Sequence, residues 1–116
     1  MREIDFYRTE SGHCPAEEFL NTLLGRQAAK VTWVLQLIEE LEFVPSQYFK
    51  KLVNTDDIWE VRVQVGRDTF RLLGFFDGPT RVILDHAFAK KSQAIPKSDI
   101  VLAEQRKRDY FRRRKP

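Results

Sequence analysis

Cysteine is all but missing from this chain: Cys14 is the only one among 116 residues. An internal disulfide framework is therefore excluded, and the usage fits a reducing cytosol. Histidine is nearly as scarce, and His13, Cys14 and His86 do not make a zinc set, so no metal is expected. Long apolar runs are missing too, as is a positively charged start followed by an apolar signal segment. Repeats, low-complexity tracts and interdomain linkers are absent. What remains is the expectation of a soluble, cytoplasmic protein with one domain, residues 1–116, long enough for a single core without staples.

Carboxylates are scarce in one half of the chain only. Residues 1–60 carry six Lys/Arg against eleven Asp/Glu, whereas residues 61–116 carry fourteen against six. A net charge of +3 thus conceals an acidic first half and a basic second half. A basic surface of this kind suits a polyanion, nucleic acid above all, through phosphate neutralisation and counterion release. A solvated basic surface with no ligand is the alternative.

Hydrophobic periodicity predicts an α+β fold in the order β-α-α-β-β-β-α. Residues 3–8 alternate Ile4 and Phe6 with polar neighbours and read as a strand. Pro15 suits the first turn of a helix, Glu17 and Glu18 suit its positive end, and Phe19, Leu20, Leu23 and Leu24 form its apolar side. After Gly25 a second helix runs to about Phe43 with Val31, Val34, Leu35, Ile38 and Leu41 at helical spacing, and Pro45 ends it. Trp33 within it reads as packing. A connector over 46–57 leads to three strands, and Pro96 opens a last helix that reaches about Arg113.

Turn chemistry sets the register of those strands. Gly66-Arg67 between Val65 and Asp68 reads as a type II′ hairpin, whose first position needs the positive φ that glycine adopts freely. That turn puts Arg62 opposite Arg71. Pairing Asp77 with Thr80 across the next turn puts Arg71 opposite His86. Trp59, Val61, Val63, Val65, Phe70, Leu72, Phe76, Ile83 and Ala87 would then share the buried face, with Glu60, Arg62, Gln64, Thr69, Arg71 and His86 on the other. Like charges opposed across a sheet repel, so a row of Arg, Arg and His makes sense where an anion occupies it.

Trp59-Glu60-Val61-Arg62, Phe70-Arg71-Leu72-Leu73 and the run LDHAFAKK over 84–91, followed by Ile95-Pro96 and the helix starting at Ile100, resemble the RelE/ParE superfamily of bacterial toxins. The resemblance is strongest to its HigB-like, phage-derived branch and spans nearly the whole chain. It implies a ribosome-dependent messenger RNA endonuclease of a type II toxin-antitoxin pair, which inhibits translation. It also implies a cognate antitoxin, commonly a helix-turn-helix protein. The chemistry implied is attack of a ribose 2′-OH on the adjacent phosphate, which needs a base, an acid and positive charge at the transition state, and no cofactor.

On those terms Arg62 and Arg71 grip the scissile phosphate, since guanidinium stays charged and can bind two oxygens. Surface arginines paired with Glu60 or Asp85 would be the structural alternative. Lys90 and Lys91 match the family's terminal strand motif and would stabilise charge or move a proton. His86 belongs to the residue type best suited to proton transfer near neutral pH, though a structural histidine is as ordinary. Lys50 and Lys51, in the connector, and Phe88, able to stack on a base, are RNA-binding candidates. Arg112 and Arg113, in the basic tail, would extend the footprint on RNA. Two other functions fit the same resemblance or charge: a ParE-like, non-enzymatic inhibitor of DNA gyrase, and a basic nucleic-acid-binding module without catalysis.

Overall fold

The computed structural model describes residues 1–90 and 93–114. Its elements are β1 (Glu3–Phe6), α1 (Pro15–Leu20), α2 (Gly25–Glu40), β2 (Phe49–Lys51), β3 (Trp59–Val65), β4 (Asp68–Asp77), β5 (Arg81–Ala89) and α3 (Lys97–Arg114). The α+β order expected from periodicity is present, with one addition. Part of the connector, Phe49–Lys51, forms a short edge strand. The five strands make one sheet in the order β1-β5-β4-β3-β2, antiparallel except where β1 runs parallel to β5.

The two helices of the first half cover one face of the sheet. Val31, Val34 and Ile38 of α2 meet Val61, Val63, Phe70, Leu72, Val82, Leu84 and Ala87 in the main core. Both helices are shorter than their apolar spacing suggests, which leaves Leu24 and Leu41 exposed just outside α2. The second face is covered in part by α3. Ala103, small enough for close approach, packs with Ile58 and Leu73, while Tyr110 and Phe111 pack with Tyr7, Phe75 and Ile83. Asp99 in the first turn of α3 and Arg112, Arg113 and Arg114 in the last suit the ends of its dipole.

The first hairpin has the expected register. Val65 faces Asp68, Gly66 has φ 61°, and Arg62 stands opposite Arg71. The second hairpin differs. Asp77 pairs with Arg81 rather than Thr80, which makes the loop one residue longer, and a bulge between Leu73 and Gly74 on β4 is matched by Asp85 as the unpaired residue of β5. Arg71 therefore faces Phe88, and His86 faces Leu73. The longer loop turns Ile83 to the α3 face, against the expectation from alternation. The bulge shifts the register once more, so Ala87 regains the main core, and His86 and Phe88 share the face of Arg71.

Candidate nucleic-acid interface

Three rows of side chains cross the second face towards the end that α3 does not reach, and in the first of them Leu73 and His86 still meet α3. Lys50, Glu60, Leu73 and His86 are successive partners from β2 to β5, and Arg62, Arg71 and Phe88 form the next row. Gln64 pairs with Thr69, whose carbonyl accepts the Lys90 N–H at 2.8 Å. Lys50 joins the face only because β2 exists and its register sets it beside Glu60.

Burial divides the two arginines. Arg71 is 5% exposed and lies 3.0 Å from Glu60, itself 2% exposed, and its Nη2 donates to the Gln93 carbonyl at 3.0 Å. This realises the Glu60 pairing foreseen as the alternative to a free surface arginine. The contact runs from Nη1 to Glu60 Oε2 and is ionic without hydrogen-bond alignment, so Glu60 Oε2 lacks a hydrogen-bond partner among the described residues, and Arg71 Nε lacks one as well. Both line a groove of about 240 Å³ with Lys50, Gln93, Ile95 and Ile100. Arg62 is half-buried and Lys50 exposed, and neither meets a carboxylate among the described residues. The Lys90 ammonium donates to the neutral Gln93 Oε1 at 3.1 Å. The open end of the face thus presents Lys50, Arg62 and Lys90 around a buried Arg71–Glu60 pair.

Residues 18–108 match the family described as phage derived protein Gp49-like (DUF891). The chain belongs to this family. It is a RelE-like, toxin-type group, and membership supports a phage-derived toxin context for this Gp49-like chain. No curated protein matches the chain closely enough to stand as a relative.

The remaining candidates of the Gp49-like chain lie elsewhere or are engaged. His86 Nε2 meets Asp99 Oδ1 of α3 at 2.7 Å, Arg106 approaches Nδ1 at 3.4 Å, and the ring stacks on Phe88 with centroids 5.1 Å apart. Both ring nitrogens are therefore tied to α3. Lys51 projects to the opposite face from Lys50 and pairs with Asp57 at 2.6 Å, an ion pair that holds the Asp57 carboxyl below its ordinary range. Arg112 and Arg113 pair with Asp109 on their own helix, and Arg113 also covers the Tyr7 ring. They belong to the end of the sheet where Arg114 meets Asp77, some eight residues along β4 from Thr69, or about 25 Å. Lys91 lies outside the described residues.

Two residues named from the sequence only as possible arginine partners take places in the structure that the sequence did not assign. Glu60 is the carboxylate at the centre of the cluster, and its signal was the strand alternation that puts it on the face of Arg62. Asp85, 0% exposed, has no hydrogen-bond partner for either carboxylate oxygen among the described residues, and burial pushes its carboxyl well above the ordinary range despite Arg106 nearby. No sequence signal marks a bulge residue. Among the described residues, no three His, Cys, Asp or Glu side chains converge as a metal site, and no helix is long and apolar enough to cross a membrane.

Proposed function

We propose that this chain is the HigB-like toxin of a type II toxin-antitoxin pair, an endoribonuclease that cuts messenger RNA on the ribosome. The observation that supports this reading best is the set of cations with no carboxylate partner among the described residues, Lys50, Arg62 and Lys90, ranged along the sheet face that holds the buried Arg71–Glu60 pair. Such a cluster repels itself, and an RNA phosphate relieves the repulsion.

In this mechanism Arg62 and Lys50 hold the scissile phosphate, and the phosphate accepts from the unbonded Nε of Arg71 and draws the guanidinium away from Glu60, which touches it at Nη1. Glu60, loosened from its partner, accepts the proton of the ribose 2′-OH as that oxygen attacks phosphorus. The phosphorus to 5′-oxygen bond breaks, the Lys90 ammonium gives its proton to the departing oxygen, and the products are a 2′,3′-cyclic phosphate and a 5′-hydroxyl. His86 acts through Phe88, which it supports from behind. The cognate antitoxin, a helix-turn-helix protein by resemblance, would neutralise the toxin by covering the cations.

Purified protein added to ribosomes carrying a defined messenger RNA tests the reading. The expected products end in cyclic phosphate, and Arg62→Ala, where the side chain has no carboxylate partner among the described residues, slows their formation at least a hundredfold while the chain stays folded. Intact messenger RNA with wild-type protein would defeat the proposal.

A further inference from the structure

Beyond the cluster, around the edge of the sheet, β2 pairs with β3 only from Trp59 to Val61. The Arg62 N–H donates on that side to the Tyr48 carbonyl at 2.9 Å, and among the described residues no strand pairs with 62–65 there. A groove of about 330 Å³ takes its place, lined by Lys30, Gln47, Tyr48, Arg62 and Gln64, with no carboxylate among them. That volume falls at the small end of ligand sites, roughly 300–1,000 Å³. Behind the groove Trp33 meets Tyr48 edge to face, centroids 5.9 Å apart, and the Lys30 ammonium sits 5.4 Å from the centre of the Trp33 ring. Trp33 is 45% exposed, so core packing alone does not account for an indole there.

We propose that this groove seats a nucleotide next to the scissile bond. Its base stacks on the Tyr48 ring, which Trp33 braces. Lys30 and Arg62 take the phosphates, and the amides of Gln47 and Gln64, each both donor and acceptor, read the base edge. The assignment rests on the nuclease reading, because Arg62 belongs to both the groove and the cluster and so joins one nucleotide to the next. An acidic peptide would satisfy the two cations but would leave the flat ring and the paired amides without a role. A single strand of RNA uses all of them, and the groove would thereby set the preference for the base beside the cut.

The test is fluorescence anisotropy with a short single-stranded RNA, 2′-O-methylated so that it cannot be cut, combined with mapping of cut sites on programmed ribosomes. Tyr48→Ala should weaken binding about tenfold, Tyr48→Phe should bind nearly as wild type, and Lys30→Gln should bind several-fold more weakly. Tyr48→Ala and Lys30→Gln should still cut, with a relaxed preference at the neighbouring base. Tyr48 also packs against the main core, so the surface variant Lys30→Gln carries the result if Tyr48→Ala folds poorly. Unchanged binding and unchanged preference in both variants would overturn the groove and leave the nuclease standing. Wild-type protein that neither binds nor cuts would overturn both. Unchanged RNA binding together with lost neutralisation by the antitoxin would assign the groove to a protein and overturn the proposal.

Discussion

Arg62 and Arg71 face each other on adjacent strands, yet they do different work. Arg71 sits in a buried pair, where removing one partner leaves the other charge stranded, at a cost of about 3–5 kcal/mol. Arg71→Ala should lose that much stability in urea denaturation, and replacing both Glu60 and Arg71 with apolar residues of similar volume should recover most of it. A fully stable Arg71→Ala would refute the pairing. Loss of activity in Arg71→Ala is therefore no test of catalysis, whereas Arg62, with no carboxylate partner among the described residues, can be removed with a stability change within about 0.5 kcal/mol. Asp85 makes a separate prediction. Its folded-state pKa is raised above the ordinary 3.8 by burial, so the folded chain holds the proton more tightly than the unfolded chain does. The stability this provides is complete below about pH 4 and is lost as pH rises towards the raised value. Asp85→Asn should remove that loss, so that its advantage over wild type in chemical denaturation grows with pH above about 4. A difference that does not vary with pH would show that Asp85 ionises as readily in the folded chain as in the unfolded one.

At the scale of elements, the first hairpin was legible because Gly66-Arg67 admits a single compact solution, and its register places Arg62 opposite Arg71 as expected. The second hairpin was not. Asp77, Gly78, Pro79 and Thr80 are compatible with loops of two or three residues, and nothing in the local sequence announces the bulge at Asp85. Each irregularity shifts the pairing by one, so Ile83 between them changed face while Ala87 beyond them did not. β2 was hidden because three residues carry too little periodicity to read, and with it was hidden the reason Lys50 joins the site while Lys51 does not. Helix α3 was legible, but its Asp99–His86 contact, which ties the histidine to that helix, depends on tertiary docking. The bulge also explains Gly74. A Cβ there would come within 2.1 Å of the Ile83 carbonyl oxygen, so Gly74→Ala should force β4 and β5 apart and cost about 1–3 kcal/mol or more. A thermal midpoint equal to wild type would show that the strands are not so closely apposed.

For the whole molecule, the division of charge along the chain becomes a division in space. The acidic first half supplies the helices on one face, and the basic second half supplies most of the strands and α3. Only part of that basic charge is available, since Arg71, Arg81, Arg112, Arg113 and Arg114 are paired with carboxylates. Four cations assigned to phosphate, Lys30, Lys50, Arg62 and Lys90, predict that the logarithm of the affinity for single-stranded RNA falls with the logarithm of salt with a slope of about −3, made shallower by about 0.7 when Arg62 is removed. A slope near zero would mean that the cluster does not bind phosphate. The central claim is most directly tested in cells. The chain and its Arg62→Ala variant are induced in a bacterial host without antitoxin, and 5′ ends are mapped across the messenger RNA pool within minutes. New ends inside translated regions, present with wild type and lost with Arg62→Ala, are the predicted result. Growth arrest without new ends, or ends that persist in the variant, would contradict it.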